Sequence, residues 1–159
     1  YLRSIASPSF KAYVLRLFSI YGKNQRDDFV ISRFMKLAKS NQKLNIYGLG
    51  DQIRAFCHIS DLVNAINLCI DYYPKIESFC LLNIGNDSEP ISILELAKKI
   101  LKLNKIIDWE SRINFIPLEQ TTRGENREIF MRFPSIQKAK KLFNYTPKTS
   151  LDKGLLEFL

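Results

Sequence analysis

Tyr13-Val14-Leu15-Arg16-Leu17-Phe18 runs into Ser19-Ile20-Tyr21-Gly22, and the reading of this stretch decides the fold. The nearly continuous apolar run predicts a strand covered on both faces, as in a parallel sheet, and the glycine closes a turn. Beyond it Ile31, Phe34, Met35 and Ala38 recur at i, i+3, i+4 and i+7. That spacing is one face of an amphipathic helix, with Asp27 and Asp28 capping its positive N-terminal end. Leu44-Asn45-Ile46-Tyr47 predicts a short strand closed by Gly48-Leu49-Gly50-Asp51, and Ile53 to Ile59 predicts another. Ser60 caps the helix that follows, Asp61 suits its first turn, and Leu62, Ile66, Cys69 and Ile70 line its apolar face.

The second half repeats the alternation. Phe79-Cys80-Leu81-Leu82-Asn83-Ile84 predicts a strand stopped by Gly85-Asn86-Asp87. Ser92 and Glu95 then form a capping box, with Ile91 and Leu96 placed as a hydrophobic staple, on a helix reaching about Leu103. Ile113 to Ile116 predicts a strand before Pro117. Ser135 opens a helix carrying Ile136, Ala139, Leu142 and Phe143, Asn144 is a left-handed stop, and Ser150 opens the last helix. Strands alternating with helices indicate an α/β fold.

The chain has 159 residues, enough for one domain or part of a larger one, and 46% hydrophobic residues, enough for a core. No apolar run of about 18 residues exists, so a transmembrane helix is excluded. Tyr1-Leu2-Arg3-Ser4 is neither a start methionine nor a signal peptide, and the chain reads as a fragment. The net charge of +8 suits a nucleic acid, a membrane surface or a small polyanion such as a nucleotide diphosphate. Lys138, Lys140 and Lys141 are the densest cluster and read as a solvated helix face. Aromatics do not interleave with the basic residues as a base-stacking platform requires. Cys57, Cys69 and Cys80 have no metal or disulfide spacing and read as buried free thiols.

In open α/β sheets ligands lie beyond the carboxyl ends of the parallel strands, so Phe18, Ser19, Ile20 and Tyr21 border a site. Arginine suits polyanion binding because its planar fork matches phosphate oxygens. Arg54 follows a glycine-rich turn, and Arg123 lies in Thr121-Thr122-Arg123-Gly124-Glu125. From periodicity alone each reads as a surface arginine. No catalytic set is visible: His58 has no partner in sequence and reads as structural. Gly48-Leu49-Gly50 is only part of a dinucleotide signature.

Arg16 to Gly22 with Gln25-Arg26 resembles the R-x-F-N-x-Y-G-P-x-Q-R segment of the NAD-dependent epimerase/dehydratase family, extended short-chain dehydrogenases/reductases acting on nucleotide sugars. Ile46 to Phe56 is similar to its I-Y-G-D-G-x-Q-x-R-D-F segment, and His58 to Val63 to the H-V-x-D-L-V that follows. Asn83-Ile84-Gly85-Asn86 before Ile91 to Ala97 resembles N-I-G-x…x-S-I-x-E-L-A. Ser135 to Leu142 with Pro147 resembles the late S-x-x-K-A-x-x-L-G-x-x-P. The ordered set covers essentially the whole chain.

The resemblance implies that residues 1–159 are the C-terminal, substrate-binding part of a Rossmann-type enzyme. This part holds the last parallel strands and the small α/β nucleotide-sugar domain. The N-terminal half, with the glycine-rich NAD loop and a catalytic Tyr-x-x-x-Lys, is absent here. It implies substrate contacts at Ser19 (an asparagine in the family), Phe29, Val30, the backbone of Ile46 and Tyr47, and diphosphate contacts at Arg54 and Arg123, with Arg127 as competitor. It implies cofactor contacts at Leu17, Phe18 and Tyr21. The family's acid before the last motif is Arg132 or Phe133 here. The implied enzyme is a cytoplasmic homodimer of the UDP-glucose 4-epimerase kind. It oxidises a UDP-sugar transiently through NAD, with no metal, nucleic acid or membrane partner. The alternatives are a reductase or decarboxylase of the same superfamily, a non-catalytic binding protein on this scaffold, and a basic nucleic-acid module.

Overall fold

A computed structural model of the chain describes residues 1–76, 78–120 and 128–159. In chain order it begins with α1 (Leu2–Ile5), β1 (Ala12–Leu17), β2 (Ile20–Tyr21), α2 (Val30–Lys39), β3 (Leu44–Tyr47), β4 (Ile53–Ala55) and β5 (Cys57–His58). It continues with α3 (Ile59–Tyr72), β6 (Phe79–Ile84), β7 (Pro90–Ser92), α4 (Ile93–Leu103) and β8 (Ile113–Ile116), then β9 (Met131–Arg132), α5 (Gln137–Phe143) and α6 (Leu151–Leu156). These elements form two compact units. The first comprises residues 1–20, 55–89 and 133–151, the second residues 21–54, 90–132 and 152–159.

In the first unit β1 and β6 pair in parallel from Ala12↔Phe79 to Leu17↔Ile84. β6 buries alternate residues, Cys80, Leu82 and Ile84, as a strand with one face in the core must. Leu62, Ala65 and Cys69 of α3, Ile136 at the N-cap of α5, Ala139 within it, and Tyr145 complete that core, with Tyr13 and Leu15 packed against it. β1 is only partly covered: Ala12 to Leu15, which alternate between its faces, are half-buried, and Arg16 and Leu17 are exposed. Arg16 instead bonds Asn83 at 2.9 Å.

The helix α3 differs from expectation in two respects. Leu62, Ala65 and Cys69 face the core, whereas Ile66 and Ile70 are 40% and 65% exposed. At 100° per residue Ile66 and Ile70 lie about 40° and 80° around from Leu62, away from the side on which Ala65 and Cys69 sit. The cap is His58, not Ser60, because the strand expected over Ile53 to Ile59 ends earlier and the helix starts at Ile59. His58 Nδ1 lies 2.8 Å from Ser60 Oγ and accepts from Ser60 N–H at 3.4 Å. The histidine is buried, a structural role as its apolar setting suggests. Asp61, also buried, accepts from the backbone N–H groups of Lys148 and Thr149 at 2.8 and 3.1 Å.

The helix α5 ends at Asn144, whose φ of 55° is left-handed. The lysine cluster on it is partly engaged: Lys138 donates to the carbonyl of Leu81 at 3.0 Å, and Lys140 pairs with Asp87 at 3.2 Å. All three cysteines are buried free thiols.

In the second unit β3 pairs in parallel with β8, from Leu44↔Ile113 to Tyr47↔Ile116. A second sheet has the order β7-β4-β9. The helix α2 buries Ile31, Phe34, Met35 and Ala38, the predicted face. Asp27 and Asp28 do not cap it. The N-cap is Phe29, and the two carboxylates pair with Lys36 and Arg26 instead. Ser92 caps α4 by accepting from Glu95 N–H at 3.1 Å. The Glu95 carboxylate turns to Lys98 at 2.8 Å, so the second half of the box goes to an ion pair. Leu96, Ala97, Ile100 and Leu101 fill the core beneath.

Candidate functional site

Each unit carries some of the expected site residues. In the first, the carboxyl end of β1 carries Leu17, Phe18 and Ser19 in succession. Phe18 N–H donates to the carbonyl of Ile84 at 2.9 Å and prolongs the ladder. Ser19 then turns out of it with φ 43°, and its carbonyl accepts from Cys57 N–H at 3.1 Å. Leu17 is 51% exposed, while Phe18 and Ser19 are half-buried. At the end of β6, Gly85 allows a close approach: a Cβ there would lie 2.6 Å from Pro134 Cγ and 3.1 Å from Phe18 Cβ. The two parallel strands thus end together with an open apolar rim, the placement expected for a ligand in such sheets.

In the second unit, Ile46 has a fully buried side chain, so only its backbone can reach a ligand. Tyr47 is exposed, and its carbonyl accepts from the buried Gln52 amide at 3.0 Å. Between them Gly48 and Gly50 adopt φ of +64° and +73° and set the turn that leads to β4. Phe29 is exposed at the head of α2, with the Arg26 guanidinium 5.4 Å from its ring centre, and Val30 begins the helix half-buried. Tyr21 is buried and stacks on Phe158 with ring centres 6.5 Å apart. Packing engages the Tyr21 ring, so any cofactor contact from this residue falls to its backbone.

Arg54 is an enclosed cation, at 8% exposure. Its Nη1 donates to the carbonyls of Ile53 at 2.8 Å and Phe130 at 3.4 Å, and its Nη2 lies 3.3 Å from Glu128 Oε1. Parallel pairing of β4 with β9 sets Arg54 opposite Arg132. Arg123 and its competitor Arg127 lie outside the described residues. Sequence reading missed Glu128 and Gln52. Glu128 stands 74 residues from Arg54, beyond any local pattern. Gln52 lay inside a recognised motif but was given no role. Among the described residues no cluster of His, Cys, Asp or Glu is placed to hold a metal.

Parallel ladders flanked by helices define a Rossmann-type α/β fold. The chain belongs to the NAD dependent epimerase/dehydratase family, whose match covers residues 1–85. It is similar to the UDP-N-acetyl-alpha-D-glucosaminuronate decarboxylase of Bacillus cytotoxicus, 33% identical over 147 residues, 91% of this chain and 44% of that protein. It is similar also to UDP-glucuronic acid decarboxylase 1 of Danio rerio, 35% identical over 144 residues, 89% of this chain and 31% of that protein. Among solved structures it resembles UDP-glucuronic acid 4-epimerase from Bacillus cereus in complex with UDP-glucuronic acid and NAD. There the TM-score is 0.78 and the identity 29%, over 92% of this chain and 43% of that one. The chain spans less than half the length of these relatives.

For NAD, the described residues offer the exposed Leu17 beside the half-buried Phe18, apolar groups suited to the face of a ring. The sequence contains no G-x-G-x-x-G, so a glycine loop for the dinucleotide pyrophosphate is not among this chain's own residues.

Proposed function

We propose that this chain is the nucleotide-sugar-binding part of an NAD-dependent epimerase or dehydratase acting on a UDP-sugar. The observation that carries the reading is the enclosed Arg54 at the end of the Gly48–Gly50 turn, on a strand of a chain belonging to this family. A guanidinium fixed by backbone carbonyls is preorganised to hold a diphosphate in one orientation, and such positioning lowers the barrier of the step it serves. Arg54 with Arg123 anchors the diphosphate, Ile46 and Tyr47 meet the base through their backbones, and Phe29 and Val30 line the nucleotide. Ser19 hydrogen bonds the sugar, and Leu17, Phe18 and the Tyr21 backbone border the cofactor. NAD, when bound, supplies reversible hydride transfer. The proton-accepting Tyr-x-x-x-Lys of this chemistry does not occur in the 159 residues. The chain alone therefore binds without turning over. A cytoplasmic homodimer of the complete enzyme belongs to the same reading. Among the described residues, no helix is long and apolar enough to cross a membrane.

The second reading is a decarboxylase on the same binding half. It is favoured by the two decarboxylase relatives at 33% and 35% identity. Both readings require the same diphosphate anchor.

The test is calorimetric titration of the 159-residue chain with UDP and UDP-glucuronic acid, followed by NMR of the sugar after incubation with NAD. Saturable binding of both ligands with no product supports the reading. An absence of binding to either overturns it, and turnover by the chain alone overturns the division of labour. For a form carrying the catalytic pair, appearance of the 4-epimer or of a pentose with release of CO2 separates the two readings.

A further inference from the structure

The enclosed cation on which the proposed anchor depends is already neutralised. Arg54 and Glu128 have side chains only 10% and 11% exposed, so water screens their attraction poorly. The opposite charges of this pair offset one another at the atom a diphosphate would use. The Ile53 and Phe130 carbonyls turn further negative dipole onto the same guanidinium. An incoming phosphate therefore meets a carboxylate at the atom it needs. It must either settle beside that carboxylate, against like-charge repulsion in a poorly screened place, or replace it.

Replacement is the cheaper course. The Nη2–Oε1 separation of 3.3 Å exceeds the roughly 2.7–2.9 Å of strong charge-assisted bonds. An enclosed ion pair gains little net stability over its separated, hydrated ions, so exchanging one anion for another costs little provided the cation is never left bare. A diphosphate carries more negative charge than a carboxylate and presents oxygens that match the guanidinium fork. The position of Glu128 is set by chain geometry. Phe130 and Met131 lie two and three residues on, the Phe130 carbonyl accepts from Ile53 N–H, and Met131 is the ladder partner of Ile53.

We propose that Glu128 is an internal competitor for the diphosphate: it occupies Arg54 in the unliganded chain and swings aside when the phosphates bind. This rests on the reading of Arg54 as the diphosphate anchor. The carboxylate keeps the buried guanidinium paired between turnovers. It also sets a threshold, because ligands without phosphate gain nothing from displacing it. Glu128 is thus a specificity-determining residue in the unliganded state, acting through Arg54.

The experiment is titration of the 159-residue chain with inorganic pyrophosphate, UDP and uridine, in wild type, Glu128→Gln, Arg54→Gln and the double variant. Glu128→Gln is expected to bind pyrophosphate and UDP about tenfold tighter while uridine is unchanged, the scale on which removing one poorly screened like charge acts. In the Arg54→Gln background the same substitution is expected to change nothing, a result that a general effect on folding or net charge would not give. Glu128→Asp keeps the charge on a shorter stem and is expected to show a smaller gain, so the test survives if Glu128→Gln does not fold. Unchanged or weaker pyrophosphate binding by both Glu128 variants overturns the competitor. So does an equal gain for uridine. If Arg54→Gln weakens UDP while Glu128→Gln gains nothing, only the competitor falls. If Arg54→Gln leaves UDP binding intact, the anchor falls with it.

Discussion

The phenolic hydroxyl of Tyr145 donates to the carbonyl of Gly85 at 3.1 Å, tying the segment after α5 to the carboxyl end of β6. Tyr145 is fully buried, and Cys57 Sγ lies 3.7 Å from the same hydroxyl. Tyr145→Phe keeps the ring and strands the Gly85 carbonyl. It is expected to destabilise the chain by about 1–3 kcal/mol, read from the urea midpoint at constant m-value. An unmoved midpoint would show that the bond contributes nothing.

Gly50 and Gly48 both need left-handed backbone, yet they differ in what surrounds them. A Cβ on Gly50 would lie 2.8 Å from Ile46 Cγ2, 3.0 Å from Leu94 Cβ and 3.1 Å from the Leu94 backbone nitrogen. On Gly48 it would meet only the Leu118 side chain, at 3.1 Å or more, which can shift. Gly50→Ala is therefore expected to cost about 2–4 kcal/mol, adding overpacking to the left-handed penalty. Gly48→Ala is expected to cost about 1–2 kcal/mol, close to the left-handed penalty alone. Thermal denaturation of the two variants checks the order, and equal losses would refute it.

Burial pushes the Cys57 thiol from 9.0 up to about 11, against a smaller opposing effect of its contact with Tyr145. Burial likewise raises Cys69 to about 11. The folded chain thus keeps protons that the unfolded chain loses above its ordinary thiol range. Stability is full below about pH 9 and is lost as pH rises through about 11. The slope is at most about 1.4 kcal/mol per pH unit for the fully buried Cys57. Urea midpoints between pH 8 and 11 measure this. A flat profile over that interval would contradict it, and so would rapid alkylation of Cys57 in the native chain at pH 8.

Arg54→Ala removes the proposed anchor. UDP-sugar affinity is expected to fall by about 1.5–3 kcal/mol, the range of a hydrogen bond to a charged group. Calorimetry that finds unchanged affinity would reject the assignment. Arg54→Lys is expected to recover only part of the loss, since an ammonium cannot reproduce the planar fork.

Local signals in the sequence were read well where the physics is local. The bounds of β6 and β8, the Ser92 cap and the left-handed Asn144 all followed from a few adjacent residues. The apolar face of α2 was equally plain, because its spacing points in one direction. The reading failed where the decision lies elsewhere in the chain. Which side of α3 is inside depends on where β6 and α5 stand, so Ile66 and Ile70 were placed in a core they do not enter. Apolar content alone suggested that β1 was fully covered, whereas Ala12 to Leu15 are only half-buried and Leu17 is exposed. At the site, Arg54 was legible through its motif. Its carboxylate partner was not, because nothing near Glu128 in sequence announces an arginine 74 residues away.

That long reach has a kinetic consequence. Arg16 and Asn83, joined across the β1–β6 ladder, are separated by 67 residues, and Asn45 and Asn114, joined across β3–β8, by 69. Neither ladder can be started by a hairpin. Each closes a loop of nearly half the chain before its first bond forms, so the entropy is lost before the contacts return it. Refolding from denaturant is expected to be slow for a protein of this size. The helices α2 and α4 form early and wait for their strands, leaving apolar faces open to self-association while they do.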